Sequence, residues 1–252
     1  MSTKSASLFT FLFSVKGHHV GPEGWAHAWF VQNVAQDVSV AVSEAHGFNS
    51  AWYRAAQSGW VMRSFEADYR RPWVLEQDLV AETWISKRTR VLAVRQYLFR
   101  DVKTNKPVSG AQAEWVYINT STARPTTIPK VFASRYILHP RTALQEIDFP
   151  QEKAVLIGTV DFRVRYSDLD TNAHANNVAY IRWITDALQE TGATGRPVWW
   201  KIQFKLPAGL TENLRVEVCS TGTGTEGAGW QVNVFSKDRG SVLAAARVLT
   251  AP

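Results

Sequence analysis

Apolar and polar residues alternate along much of this 252-residue chain, and this period-two pattern is typical of half-buried strands. Two longer stretches instead carry apolar residues at helical spacing. The first half is therefore predicted to contain one strand, one long helix and four further strands. Their residues are 8–16 for the first strand, 25–46 for the helix, and 60–69, 79–86, 91–100 and 113–119 for the others.

The second half repeats this order of elements. A strand at 160–166 and a helix at 177–189 precede strands at 199–205, 214–220, 229–236 and 242–250. Two β-α-β-β-β-β copies, offset by roughly 140 to 150 residues, indicate an internal duplication. We predict an α+β protein with domains at 8–120 and 156–252, and the proline-containing segment 121–155 as connector.

Composition narrows the class of protein. With 45% hydrophobic and 20% charged residues, and no apolar run near the length of a membrane span, the chain is typical of a water-soluble globular protein with no membrane partner. The single cysteine, Cys219, excludes an intramolecular disulfide and fits a reducing compartment. We expect a cytoplasmic protein in which Cys219, on a predicted strand, is structural.

The net charge of +6 favours an acidic partner. Nucleic acid is the simplest candidate, but the sequence contains neither a run of five basic residues nor a recognised nucleic-acid motif. We therefore expect no nucleic-acid partner. An acidic protein would suit this charge equally well.

The segment 168–180 is the strongest candidate for a functional site, because it joins a predicted strand to a predicted helix. Asp170, Asn172 and His174 lead into the helix N-terminus, where unpaired N–H groups and the helix dipole favour negative charge. This is the layout of an oxyanion site. In the alternative interpretation, the Asp and Asn are ordinary turn and cap residues and the histidine is a polar neighbour.

The run Asp170-x-Asn172-x-His174-x-Asn-Asn177-x-x-Tyr180 resembles the signature of acyl-acyl carrier protein (acyl-ACP) thioesterases, in the second of their two hotdog domains. The first half is similar to the family's N-terminal domain at further landmarks. These are Val15-Lys-Gly-His-His-Val-Gly-Pro-Glu-Gly24, Trp60-Val-Met-Arg63, Tyr69-Arg-Arg-Pro72, Glu82-Thr-Trp84 and Trp115-Val-Tyr-Ile118 followed by Arg124-Pro125.

The resemblance implies a tandem double hotdog, in which a continuous antiparallel sheet wraps around two long helices. It also implies hydrolysis of the thioester between a fatty acyl chain and the acidic acyl carrier protein, releasing free fatty acid. Asp170 would activate water or attack the carbonyl itself, while Asn172 and His174 would position water and share the proton transfer. No cofactor and no metal are expected, because Asp170 and His174 lack further clustered ligands.

The remaining motif positions and the first half supply candidate substrate contacts. Asn177 and Tyr180 match the motif and are assigned to helix capping and packing, with substrate contact as a second role. Trp25, Trp29 and Phe30 are predicted to line an acyl pocket. Other polar residues of the first half are interpreted as the remainder of a duplicated site: His18, His19, His27, Asn33, Gln36 and Asp37.

One position departs from the family pattern. Members of the family usually carry a glutamate on the strand after the motif helix, where this chain has Pro207. Proline supplies neither a proton nor a side-chain acceptor. The acid is then missing, replaced from elsewhere, with Glu212 as the nearest acid downstream, or not needed.

Two other functions remain open from the sequence. A hotdog thioesterase acting on acyl-coenzyme A would attack the same bond on a different carrier. A non-catalytic acyl-binding hotdog protein would explain the proline at position 207. The chain is expected to be a monomer or a homodimer, because the duplication supplies internally what a single hotdog domain obtains by dimerising.

Overall fold

The computed structural model describes residues 9–69, 71–193 and 195–251. Leu8, where the first strand was predicted to begin, lies outside the described residues. Contacts divide the described chain into two units. The first unit contains residues 9–26, 33–65 and 71–145, and the second contains 27–32, 66–69 and 146–251.

The first unit is an antiparallel sheet with one long helix. Its elements in chain order are β1 (Phe9–Ser14), most of α1 (Ala28–Ala45), α2 (Ser50–Ala55), β2 (Ser58–Asp68), β3 (Asp78–Arg88), β4 (Leu92–Asp101), β5 (Pro107–Asn119), β6 (Arg124–Pro125) and α3 (Lys130–Arg135). The strand order is β1-β3-β4-β5-β2, with β6 beside β5. Ser39 of α1 shares a 2.7 Å hydrogen bond with the hydroxyl of Tyr97 on β4, so the helix packs against this sheet.

The second unit repeats this arrangement. It contains β7 (Val155–Arg163), α4 (Asn177–Glu190), β8 (Arg196–Phe204), β9 (Asn213–Gly224), β10 (Gly227–Ser236) and β11 (Ser241–Ala251). The strand order is β8-β11-β10-β9-β7, antiparallel at each of these pairings. The C-terminal end of β2 belongs to this unit and lies beside β8, where the Tyr69 N–H donates to the Val198 carbonyl at 2.7 Å.

Helix α4 forms where its apolar residues predicted it. Val178, Ile181, Ile184 and Leu188 lie at three- and four-residue intervals and are each at most 5% exposed. The helix ends at Glu190, and Gly192 follows with φ +76°, a left-handed conformation that glycine adopts without steric cost. This apolar face fixes α4 against the sheet, and hence fixes where its N-terminus begins.

The predicted α+β architecture with two β-α-β-β-β-β repeats is confirmed. The predicted strand 160–166 was wrong at both ends, because β7 spans Val155–Arg163. Its ladder with β9 stops where the Val164 N–H turns to the Glu212 carbonyl at 2.9 Å. Tyr166–Asp168 then forms a 3-10 turn.

No helix in the described part of the chain is both long enough and apolar enough to cross a membrane.

Two further boundaries differ from the sequence prediction. Helix α1 begins at Ala28 instead of residue 25, because Trp25 and Ala26 form isolated β-bridges with Val74 and Val20. The connector segment contains β6 and α3, and Phe132 of α3 is 2% exposed. This segment therefore contributes to a core as well as joining the two repeats.

Candidate active site

Asp170 and Asn172 contact each other directly on the loop between β7 and α4. The Asp170 carboxylate accepts the backbone N–H of Asn172 at 2.8 Å and its side-chain amide at 3.3 Å. The loop backbone closes on itself, since the Asp170 N–H donates to the His174 carbonyl at 2.8 Å and the Ala173 N–H to the Asp170 carbonyl at 3.0 Å. The carboxylate is thus held in one orientation by a short turn.

His174 is tied to this loop through its backbone. Its imidazole forms no hydrogen bond with any residue that the structure describes, and its side chain is exposed. Asn172 is also exposed, whereas Asp170 is half-buried. The structure therefore joins Asp170 to Asn172 and leaves the His174 imidazole on the same loop, open to solvent.

The N-terminus of α4 follows the loop after one residue. Asn176 is the N-cap, and its side-chain oxygen accepts the Val178 N–H at 2.9 Å. The predicted capping role of Asn177 thus belongs to its neighbour, because the chain becomes helical at Asn177. Among the described residues, the Asn177 N–H meets no backbone acceptor, and it remains available to a ligand.

Tyr180 lies beneath the loop, as a packing residue. It is 2% exposed, its hydroxyl donates to the Leu206 carbonyl at 3.2 Å, and its ring lies 5.1 Å from that of Trp183. Burial raises the pKa of Tyr180 to about 12. The hydroxyl is thus protonated and occupied by the protein's own backbone.

The first unit contains the same loop, 149 positions earlier in the chain, without the motif residues. Gly21, Glu23 and Trp25 stand where the second unit has Asp170, Asn172 and His174. The Gly21 N–H donates to the Trp25 carbonyl at 2.9 Å and the Gly24 N–H to the Gly21 carbonyl at 3.0 Å, matching the second unit bond for bond. The predicted duplication extends to the backbone hydrogen bonds of the loop, and only the second copy carries a carboxylate at its first position.

The 3-10 turn before the loop is closed by a side-chain acceptor in both units, but the accepting group differs. Asp168 accepts the Arg165 N–H through its carboxylate at 2.8 Å, and His19 accepts the Lys16 N–H through Nδ1 at 3.0 Å. Burial lowers the pKa of His19, with the neighbouring His18 and Lys16 acting in the same direction. His19 is therefore a turn cap in this structure.

Pro207 also has a counterpart in the first unit. Pro72 and Pro207 each precede a residue whose carbonyl accepts an N–H from the loop: Trp73 receives the Ala26 N–H at 2.7 Å, and Ala208 receives the Ala175 N–H at 2.9 Å. Both repeats thus carry a proline at the same point of this turn.

Glu212 closes this turn in the second unit. Its carboxylate accepts the Gly209 N–H at 2.9 Å and the Arg239 side chain at 2.7 Å. Gln77 makes the equivalent bond to the Val74 N–H at 3.1 Å in the first unit. The nearest acid downstream of Pro207 is therefore engaged in holding the loop that contacts the motif.

Glu212→Gln should reduce stability at neutral pH by about 1 kcal/mol, because the amide keeps the Gly209 bond but loses the charge opposite Arg239. Burial raises the pKa of Glu212, but hydrogen bonds from Ser236, Gly209 and Arg239 outweigh it and hold the pKa below its ordinary value. The carboxylate therefore stabilises the fold above that value, and the stabilisation is lost as pH falls through the lowered pKa.

Urea unfolding of both proteins at several pH values would measure this effect. The difference between wild type and Glu212→Gln should shrink on acidification below about pH 4. Glu76→Gln, which changes an exposed acid on the equivalent first-unit turn, is the control. A difference that stays constant from pH 7 to the acid limit would contradict the assigned role.

An apolar pocket lies beside α4 in the second unit. Its walls include Ala28 of α1, Ile181, Ile184 and Leu188 of α4, and Trp200 and Val248 of the sheet. It begins one turn after the start of α4 and follows the helix for about 10 Å. The space that the walls enclose is only about 10 Å³, so an acyl chain lying here would have to move the walls apart.

The assignment of Trp25, Trp29 and Phe30 to an acyl pocket stays a prediction. Trp25 takes the place of the motif histidine in the first-unit loop. Trp29 and Phe30 belong to the second unit, where the Arg182 guanidinium lies 4.5 Å from the Trp29 ring centroid. Phe30 is 4% exposed. None of the three is among the residues that line the pocket beside α4.

Sequence reasoning missed the cap at Asn176 and the turn closed by Glu212. The pairing of Pro72 with Pro207, and of Gln77 with Glu212, is visible in the sequence as a common offset of 135 positions.

Cys219 is half-buried on β9, and burial raises the pKa of its thiol, which is consistent with a structural role.

Two family models match different parts of the chain. Residues 7–136 match the acyl-ACP thioesterase N-terminal domain, and residues 155–248 match the acyl-ACP thioesterase C-terminal domain. A relative, the chloroplastic oleoyl-acyl carrier protein thioesterase of Coriandrum sativum, is 26% identical over 198 residues, covering 70% of this chain. The chain spans about half the length of the curated relatives that it matches, 52% in this case.

Two solved structures share the fold. An acyl-ACP thioesterase from Bacteroides thetaiotaomicron matches with a TM-score of 0.81 at 19% identity, covering 97% of this chain and 98% of that one. The 12:0-ACP thioesterase from Umbellularia californica matches with a TM-score of 0.80 at 20% identity, covering 97% and 94%. The resemblance seen in the sequence is confirmed, and the chain belongs to the acyl-ACP thioesterase family.

Proposed function

We propose that the protein hydrolyses the thioester of a fatty acyl chain carried on acyl carrier protein, at the loop of Asp170, Asn172 and His174. The observation that carries this proposal is the Asp170 carboxylate, held by two Asn172 donors immediately before the N-terminus of α4, in a chain of this family. The first-unit copy of the loop, with Gly21 in the same position, lacks this group.

Asp170 is the group that starts the reaction. As a general base it takes a proton from water while the water oxygen bonds to the thioester carbonyl carbon. As a nucleophile its own oxygen bonds to that carbon, and water hydrolyses the resulting anhydride in a second step. In either case the C–S bond breaks and the carrier's thiol departs with a proton.

The neighbouring groups complete the site. The His174 imidazole is exposed and unbonded among the described residues, and it can pass a proton to the departing thiolate. The Asn177 N–H lies at the start of α4, where negative charge is favoured, and it would stabilise the carbonyl oxygen as it becomes an oxyanion. Asn172 keeps Asp170 oriented.

The acyl chain is proposed to lie in the pocket beside α4. The pocket walls are apolar, and the pocket starts one helical turn beyond Asn177. Burial of a hydrocarbon chain against Ile181, Ile184 and Leu188 would contribute roughly 0.8 kcal/mol for each methylene removed from water. Two relatives are named for different acyl groups, one for oleoyl and one for dodecanoyl acyl carrier protein. We therefore propose a fatty acyl substrate without assigning its chain length.

A panel of thioesters would test the proposal. Acyl groups of 8 to 18 carbons would be presented both on acyl carrier protein and on coenzyme A, and the released thiol would be measured. We expect turnover, with a higher kcat/KM for the carrier-protein thioesters. Faster hydrolysis of the coenzyme A series would support the acyl-coenzyme A alternative. Tight binding of acyl thioesters without thiol release would support a binding protein.

A further inference from the structure

An exposed patch of mixed apolar and basic side chains lies beside the motif loop on the second unit. Tyr166 is 84% exposed, Leu206 42% and Leu210 50%. Arg165 and Lys205 are exposed next to them in the chain. We call these five residues the loop patch. Large apolar side chains held this far into water are uncommon as a group and point to a contact surface.

The backbone beneath the loop patch is fixed. Val164 and the turn around Thr211 exchange hydrogen bonds, with the Thr211 N–H donating to the Val164 carbonyl at 3.0 Å. The Leu206 carbonyl accepts the Tyr180 hydroxyl, and the Ala208 carbonyl accepts the Ala175 N–H at 2.9 Å. These bonds bring the 3-10 turn, the Pro207 turn and the motif loop together, so the patch and the loop of Asp170 lie side by side.

The basic members of the patch differ from the neighbouring cations. Arg239 pairs with Glu212 at 2.7 Å, and Lys237 pairs with Asp161 at 2.6 Å. Arg165 and Lys205 form no ion pair with any acid that the structure describes. Their charges are therefore free to act on a partner.

We propose that the loop patch docks the acyl carrier protein, with Tyr166, Leu206 and Leu210 packing against it and Arg165 and Lys205 facing its acidic side chains. The inference rests on the proposed function, because it takes the carrier as the partner. The argument for this docking is charge complementarity. The carrier is acidic, and the cations Arg165 and Lys205 lie at the edge of an apolar surface beside the loop of Asp170. A docked carrier would deliver its thioester directly to the motif loop.

The first unit supplies an internal comparison. At the positions equivalent to Arg165, Tyr166 and Leu210, it has Lys16, Gly17 and Leu75. The cation and one apolar side chain are thus kept, but the protruding aromatic residue is absent. Only the second-unit copy of this surface combines all three features beside a carboxylate.

The test compares one acyl group on two carriers. Arg165→Glu and Tyr166→Ala would each be assayed with acyl-ACP and with the same acyl chain on pantetheine, which is too small to reach the patch. We expect kcat/KM on acyl-ACP to fall about tenfold in each variant, mainly through KM. The dependence on salt should weaken only in Arg165→Glu, because Tyr166→Ala changes no charge. Activity on acyl-pantetheine should remain within about twofold of wild type, because a contact at the rim of an interface acts on association with the carrier and leaves the chemical step alone.

Lys16→Glu is the matched control for Arg165→Glu, because it reverses a charge at the equivalent position of the first unit. Leu75→Ala is the control for loss of an exposed apolar side chain, since it removes one from the first-unit copy of the surface. Both should behave as wild type on both substrates. Equal losses on acyl-ACP and acyl-pantetheine, or equal losses in Lys16→Glu and Arg165→Glu, would overturn the docking proposal.

Direct titration of the wild type and Arg165→Glu with holo-acyl carrier protein separates this inference from the proposed function. If the wild type hydrolyses neither substrate but binds the carrier, and Arg165→Glu weakens that binding about tenfold, the patch stands and the hydrolase proposal fails. If the wild type hydrolyses both thioesters and Arg165→Glu binds the carrier unchanged, the hydrolase proposal stands and the patch is wrong.

Discussion

Asp170→Asn is expected to lower kcat by about a hundredfold or more while leaving the fold and the acyl affinity intact. The asparagine oxygen can still accept the Asn172 N–H that holds the loop at 2.8 Å. The amide, however, takes no proton from water and cannot attack the thioester. The loss therefore falls on the chemical step and spares binding.

The measurement is single-turnover hydrolysis together with binding of an acyl thioester to the variant. Asp168→Asn is the matched control, since Asp168 lies two residues earlier and its carboxylate accepts the Arg165 N–H, a bond that an asparagine oxygen can also accept. It should retain activity within a few-fold. An Asp170→Asn protein as active as the wild type would refute the site assignment, whatever the effect of the control.

Tyr180→Ala should destabilise the second unit by about 3 to 5 kcal/mol, because it empties a fully buried aromatic site between Trp183 and Phe204. Tyr180→Phe should cost about 1 kcal/mol by removing only the donor to the Leu206 carbonyl. If Tyr180 is a packing residue, Tyr180→Phe should also keep kcat/KM close to the wild-type value.

Chemical unfolding and steady-state kinetics on the same preparations would separate packing from substrate contact. The wild type should also lose stability between about pH 10 and 12, because the folded state raises the pKa of Tyr180 and so favours its protonated form. Tyr180→Phe should lack this component. Unchanged stability with a KM raised tenfold in Tyr180→Phe would assign the hydroxyl to the substrate.

The spacing of apolar residues was sufficient to predict the repeated order of strands and helices. Each strand and each long helix buries one face, and this burial sets the spacing. It failed at the end of β7, where alternation continues through Tyr166 although the strand stops at Arg163. There the Val164 N–H donates to the Glu212 carbonyl and the Arg165 N–H donates to the Asp168 carboxylate. Such bonds join residues distant in sequence, or depend on a turn type, and they leave no periodic pattern.

The sequence placed Asp170, Asn172 and His174 on one loop before a helix, as the structure does. It assigned the cap to Asn177, whereas the structure places it at Asn176, because asparagine suits both positions and only the backbone dihedral angles decide. The roles of Pro207 and Glu212 were equally hidden. They became clear when the first-unit turn, with Pro72 and Gln77, showed the same bonds with an amide in place of the carboxylate.

The paired loops separate what the chain needs in order to fold from what it needs in order to react. The same backbone hydrogen bonds form around Gly21, Glu23 and Trp25 as around Asp170, Asn172 and His174. The backbone bonds of the loop therefore form without these three side chains, although the Asp170 carboxylate adds its own bonds to Asn172 in the second unit. If residues 170, 172 and 174 act as proposed, a relative with the same loop backbone but other side chains at these positions would still fold and would lack this hydrolysis.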